Sequence, residues 1–176
     1  MEEYNKQDWV SLDQPKILFG LHGTPLTKVC VTLWGKKLCG LFVVKSEAEA
    51  KQRIKKYFPG AVLEKAPEQT KPFCDQAMAS LTQKVDLPFL LVGTPFQRSV
   101  WKALLKIPSG KTTTYAKLAA TIKKPKAVRA VGTAVGANPL CFFVPCHRVL
   151  PKQGGIGNYG PGPALKEKVL RLEGAL

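Results

Sequence analysis

Four consecutive residues constrain this chain more than any other feature: Pro145-Cys146-His147-Arg148, set inside the apolar run that spans residues 138–149. The run opens on the turn dipeptide Asn138-Pro139, continues through Leu140, Cys141, Phe142, Phe143 and Val144, and resumes at Val149. The fold therefore has to enclose a thiol, an imidazole and a guanidinium side by side. Burial of such groups is unfavourable unless each finds a partner or does chemistry, and Pro145 stiffens the backbone where they begin. An isolated Cys-His pair is more often an inert buried thiol beside surface polar groups. The surrounding sequence decides between the two.

A free thiol near neutral pH is only a few per cent thiolate, so a nucleophilic cysteine needs a base or a cation beside it. In residues 89–176 the only histidine is His147 and the only acids are Glu167 and Glu173. A catalytic group built on Cys146 thus has few possible members. The other histidine of the chain is His22, which excludes a multi-histidine metal centre and leaves open a site mixing His22 with distant cysteines. The five cysteines (Cys30, Cys39, Cys74, Cys141, Cys146) are odd in number and form no CxxC pair, and the opening Met1-Glu2-Glu3-Tyr4-Asn5 is no secretory signal. Free thiols in a reducing compartment are expected, either cytoplasmic or nuclear. No run is long enough to span a membrane.

Charge is unevenly placed. Residues 1–88 carry 13 Lys/Arg and 10 Asp/Glu, and residues 89–176 carry 14 and 2, a net of +12 out of the total +15. A near-uniform positive field on one half fits a polyanionic partner, with a merely soluble basic face as the alternative.

Alternation and turn signals predict strands over 16–21, 28–34 and 37–44, a helix over 48–58 capped by Ser46 with Glu49, a polar connector over 60–71, and a helix over 72–83. Lys51, Arg53, Lys55 and Lys56 are expected on a solvated face. Residues 85–93 read as an extended linker into the second half. There Thr94-Pro95 starts a helix, Thr114 caps a short one over 115–122, and Pro125 suits the first position of another over 126–136. Two short helices joined by a tight turn form the helix-turn-helix pattern. The second is made almost wholly of small residues around one long side chain, Arg129, as suits close approach to a DNA groove or, equally, a tightly packed core helix. The Lys123-Lys124-Pro125-Lys126 turn can serve DNA phosphates or nuclear import. A glycine-rich loop over 151–159 and a last helix from Pro163 to Leu172 complete the chain. The expected fold is α/β: residues 1–88 as a small supporting domain of short antiparallel sheet plus helices, and residues 89–176 as a mostly helical domain with a winged helix-turn-helix-like DNA-binding motif.

Pro145-Cys146-His147-Arg148-Val149 with Asn138-Pro139, Gly93-Thr94-Pro95-Phe96-Gln97, Val100-Trp101, Tyr115, and residues 125–132 (Pro-Lys-Ala-Val-Arg-Ala-Val-Gly) together resemble the methylated-DNA–protein-cysteine methyltransferases, or O6-alkylguanine-DNA alkyltransferases. The resemblance covers residues 93–173, in order and at the family's spacing. It implies repair of double-stranded DNA by single-turnover transfer of an alkyl group from O6 of guanine, with O4 of thymine as a further substrate, onto Cys146. By the same resemblance His147 accepts the thiol proton through a water, Glu173 orients His147, and Asn138 braces the turn behind the site. Arg129 fills the gap left by the extruded nucleotide, while Tyr115 presses on a flanking phosphate and bonds the purine. Gln97, Lys124 and Lys152 touch the DNA backbone, and Val149, Tyr159 and Gly160 border the substrate, with the Gly160 N–H as a donor. No cofactor, no metal, no membrane and a monomer in solution are implied. Gly160 and Pro161 stand where many relatives carry Ser or Trp and Gly, which leaves adduct size open. The alternatives are a non-catalytic relative that flags alkylated bases, and a cysteine hydrolase acting on amides.

Overall fold

The computed structural model describes residues 1–5, 9 and 11–176. Strand β1 (Glu2–Tyr4) lies apart from the main sheet, whose strands are β2 (Lys16–Gly23), β3 (Lys28–Trp34), β4 (Lys37–Val43) and β5 (Val62–Lys65) in the order β4-β3-β2-β5. The first three of these are the strands expected from alternation. They run antiparallel because residues 24–27 and Gly35-Lys36 reverse the chain; Thr24 Oγ1 closes the first turn on Leu26 and Thr27, and Gly35 sits at φ +58°.

Residues 60–71 are not a connector. They hold β5, which joins β2 in parallel and makes the sheet mixed rather than antiparallel. They also hold the start of a helix. A four-residue edge strand has no buried face to pattern, so nothing in its sequence announces it. Helix α1 (Glu47–Tyr57) begins as expected, with Ser46 Oγ accepting from the Glu49 N–H at 3.2 Å. The Glu49 carboxylate bonds Lys45 N–H at 2.8 Å rather than closing the box on Ser46. Helix α2 (Pro67–Ala79) starts five residues before the expected Pro72, which it carries in its interior. Pro72 and Glu68, the residue whose carbonyl it deprives of a donor, are both exposed, so water can satisfy that carbonyl.

Strand β6 (Leu90–Val92) pairs in parallel with β1, where a linker was expected. Helix α3 (Pro95–Leu104) opens on a complete capping box between Thr94 and Gln97. After β7 (Thr113–Thr114), helix α4 (Tyr115–Thr121) is capped by Thr114. It ends with Lys123 at φ +58° and with Lys123 and Lys124 N–H bonded back to Ala120 and Ala119, a Schellman ending built on lysine instead of glycine. Helix α5 (Val128–Gly136) starts two residues later than expected, and Pro125 lies in the preceding turn. A 3-10 turn (Cys146–Arg148), β8 (Val149–Leu150, parallel to β7) and helix α6 (Pro163–Leu172) follow.

Two apolar clusters hold these elements. One fills the space between the sheet and α1, around Trp9, Phe19, Ile54 and Phe58. The other joins the two halves: Val29, Val31 and Leu41 meet Trp101, Leu104, Val131, Phe142, Val144 and Val169. The segment before Cys146 is stitched to the sheet directly, since Leu41 N–H bonds Pro139 O at 2.8 Å and Cys141 N–H bonds Leu41 O at 3.0 Å.

Candidate active site

From Leu140 to Cys146 the chain doubles back on itself. Val144 N–H reaches Leu140 O at 2.8 Å, and Phe142 takes φ +69°, a conformation that aromatic residues hold only where the surroundings enforce it. Asn138 is the enforcing residue. Its Oδ1 accepts from Leu140 N–H at 2.9 Å, while Nδ2 lies 2.8 Å from Val144 O and 3.2 Å from Cys146 Sγ. The Asn138 amide therefore spans the loop and donates to the sulfur.

Behind Cys146 lies a buried charged group. His147 is wholly enclosed, with Nε2 2.8 Å from Glu173 Oε1. Arg148 holds the same carboxylate through Nε to Oε2 at 3.0 Å and a terminal nitrogen to Oε1 at 2.8 Å, and its other terminal nitrogen reaches Ile107 O at 2.5 Å. Burial pushes the Glu173 carboxyl up, but the hydrogen bonds from His147 and Arg148 prevail and hold it below the ordinary carboxylate range. Burial lowers His147 below its usual 6.5, against the pull of Glu173. A neutral imidazole facing an ionised carboxylate places its proton on Nε2. Nδ1 then carries a lone pair, and among the described residues it is buried with no partner. Glu167 sits exposed on α6, paired with Arg171 at 2.7 Å, so Glu173 is the acid brought to His147.

Cys146 opens into a cavity of about 290 Å³. Of the expected residues, Asn138, Tyr115, Tyr159 and Gly160 share its wall. Val149 does not: its side chain is fully buried, and β8 turns it inward. Arg129, Lys124 and Lys152 are exposed outside the cavity. Gln97 has its Oε1 engaged in capping α3 and borders a neighbouring hollow. Arg53 and Tyr57 of α1 line the Cys146 cavity, and Lys56 lines the hollow next to it; the solvated face expected for this helix is half turned to the site. Cys141 lines the cavity too. No local pattern marks these residues, because α1 is brought over the site by long-range packing. Cys146 is held below the ordinary thiol range chiefly by its neighbour Cys141; burial opposes this and the Asn138 amide on its sulfur reinforces it.

Lys166 of α6 is also fully buried and donates to Val149 O at 2.7 Å. Burial lowers its pKa to about 8. The folded protein thus binds fewer protons than the unfolded chain between about pH 8 and the ordinary 10.5, and stability should rise through that window. Lys166→Met is expected to remove this rise, as followed by denaturant unfolding at pH 8 and pH 10.

A buried cysteine opening into a cavity beside a basic helix-turn-helix is an arrangement suited to a DNA-binding protein that works through a thiol. Residues 95–175 match the family described as 6-O-methylguanine DNA methyltransferase, DNA binding domain. The inducible methylated-DNA–protein-cysteine methyltransferase of Bacillus subtilis is 41% identical over 122 residues, 68% of this chain and 68% of that protein. The bifunctional transcriptional activator/DNA repair enzyme Ada of Escherichia coli is 34% identical over 160 residues, 89% of this chain but 45% of its own length. The crystal structure of Mycobacterium tuberculosis OGT in complex with DNA superposes with a TM-score of 0.76 at 32% identity, covering 90% of this chain and 93% of that one. The chain belongs to the methylated-DNA–protein-cysteine methyltransferase family.

Proposed function

We propose that this protein repairs DNA by direct reversal, moving an alkyl group from O6 of guanine onto the sulfur of Cys146, once per molecule. The observation that carries this is the Cys146 thiol, set in the wall of a cavity beside α4 and α5 with the Asn138 amide donating to its sulfur. A base extruded from the duplex enters that cavity, and an O6-alkylated guanine pairs poorly, so its extrusion costs less than that of a normal base. The thiol proton passes through a water to His147 Nδ1, whose ring is held by Glu173. The S–C bond forms as the C–O6 bond breaks, and charge on the departing purine meets the Tyr115 hydroxyl and the Gly160 N–H. Residues 89–176 do this work. Residues 1–88 support it and, through Arg53 and Tyr57, close one side of the cavity. The protein acts as a monomer in the compartment that holds the DNA. No helix among the described residues is long and apolar enough to cross a membrane. Intact mass after mixing with duplex DNA containing O6-methylguanine tests this reading: a gain of one methyl on Cys146 is expected. Complex formation without it would select a binding-only protein.

Binding to DNA should be dominated by phosphates. Affinity is expected to fall linearly with salt on a log–log plot, with a slope reduced by about one in Lys124→Ala. Arg129 is exposed on α5, and that exposure supports our assigning it as the finger into the duplex. Arg129→Ala should slow transfer on duplex DNA by about tenfold or more, since one side chain bracing an unstacked step contributes ~1–3 kcal/mol. Transfer from single-stranded DNA should change far less. Equal losses on both substrates would remove Arg129 from this role.

A further inference from the structure

Helix α1 borders two adjacent hollows, and the alkyl-transfer chemistry uses only the one that holds Cys146. The other, of about 320 Å³, has Lys56, Gln97, Trp101 and Thr133 in its wall. Tyr57 and Gly136 line both hollows and so form the partition between them. That partition is low, because Gly136 has no side chain and nothing lies within 4 Å of where a Cβ would stand. A nucleotide whose base fills the Cys146 cavity thus has an open way for its backbone over Gly136 into the second hollow. We propose that Lys56 binds the DNA there: its ammonium takes a phosphate that flanks the extruded nucleotide, and the Gln97 amide is the second donor.

The groups in that wall favour an anion. Lys56 is exposed in the last turn of α1 and has no partner among the described residues. Lys51 and Arg53 of the same helix are already paired, with Glu47 at 2.8 Å and Glu49 at 3.2 Å. The capping bond from Thr94 N–H to Gln97 Oε1, at 3.0 Å, fixes the orientation of that amide and leaves its nitrogen to donate elsewhere. Trp101 Nε1 is spent on Ala134 O at 2.8 Å and the Thr133 hydroxyl on Arg129 O at 3.3 Å. Among the described residues no carboxylate lines the hollow. The end of α5 also calls for a cation. A helix C-terminus carries a partial negative charge, and the last turn of α5 has no basic residue. A phosphate passing Gly136 would be repelled unless a cation came from another element, and Lys56 is the cation that lines this hollow. A lysine in the last turn also complements the dipole of its own helix, but Lys55 does that equally and lines neither hollow.

This inference rests on the alkyl-transfer reading for the base in the first hollow, yet binding alone tests it. The probe is a duplex with one O6-methylguanine, bound by protein in the Cys146→Ser background so that the lesion is not consumed. Lys56→Ala is expected to weaken binding by about three- to tenfold and to reduce the log–log salt slope by about one. Lys56→Arg should keep both, and Lys55→Ala should change affinity by less than about twofold. Neutral methylphosphonates, placed one at a time at the phosphates around the lesion, then locate the contact. At one phosphate next to the lesion, on the strand that carries it, the neutral group should weaken the Lys56 protein but cost the Lys56→Ala protein nothing further. Losses that add at every position overturn the proposal, as does a coupled phosphate on the opposite strand. Equal effects of Lys55→Ala and Lys56→Ala would mark a diffuse field and overturn it too. If protein with Cys146 intact takes no methyl, the alkyl-transfer reading falls, while the phosphonate series still decides the role of Lys56.

Discussion

Serine in place of Cys146 is expected to leave methyl transfer unmeasurable, with the fold and DNA binding kept. The two side chains are nearly isosteric, and the Asn138 amide that donates to the sulfur can donate to a hydroxyl. What is lost is ionisation: a neutral imidazole cannot hold a serine alkoxide at the population available to a thiolate. DNA affinity, driven by phosphate contacts from exposed lysines, has no reason to fall. With lesions in excess, wild-type protein should stop at one methyl per molecule. A thioether carbon is a poor electrophile, unlike the thioester carbonyl left in a cysteine hydrolase, and the cavity wall offers tyrosine hydroxyls and the Cys141 thiol but no second base. Counting labelled methyls against protein decides the matter; several turnovers per molecule would sink the suicide mechanism.

The second large effect is expected from Glu173→Gln. One carboxylate there serves both His147 and Arg148, and the side chains of Glu173 and His147 are fully enclosed. An amide cannot neutralise the buried guanidinium, and breaking such a pair costs about 3–5 kcal/mol. The melting temperature should drop by roughly 10 °C for a chain of this size. Transfer should slow by about 10- to 100-fold as His147 loses its fixed tautomer. Replacing both members, Arg148→Met with Glu173→Leu, should recover much of the stability and none of the rate, which separates the two roles. Glu167→Gln, on an exposed pair, should change stability by less than about 0.5 kcal/mol. Stability should also fall in acid in two stages. His147 titrates below its ordinary 6.5 and Glu173 below its ordinary 4.5, so in each window the unfolded chain binds more protons. Their contributions are present above those values and are lost as pH falls through the folded ones. Glu173→Gln should erase the lower stage. A variant as stable and as fast as wild type would remove Glu173 from the relay.

The parts of this fold that the sequence announces are those where one local rule suffices. Strands β2 to β4 show as alternation between turns, α3 as Thr94-Pro95 with Gln97, and α6 as Pro163. Helix α2 hides its start because Pro72, the natural first-turn residue, lies inside it, and β5 because an exposed edge strand needs no apolar face. The nucleophile, its histidine and the acid that reaches it all lie in the second half, where only two glutamates had to be weighed. The rest of the cavity wall is nonlocal. Arg53 and Tyr57 arrive from a helix whose spacing reports only its contact with the sheet. Cys141 reads as one more apolar position until the chain reverses at Phe142.

The stitching of residues 139–141 to Leu41 also bears on solubility. Strand β4 is an edge of the main sheet, and unpaired edges invite pairing with other chains. Here the free side of β4 is occupied by this chain itself, by Pro88 and Phe89 at Leu38 and by the residues leading to Cys146 at Leu41. The loop that holds the nucleophile is therefore also the guard on that edge. A substitution that loosens Asn138, or an adduct too large for the cavity, would bare a strand of Leu, Cys, Phe and Val. Such damage would show first as precipitation rather than as a soluble, inactive protein.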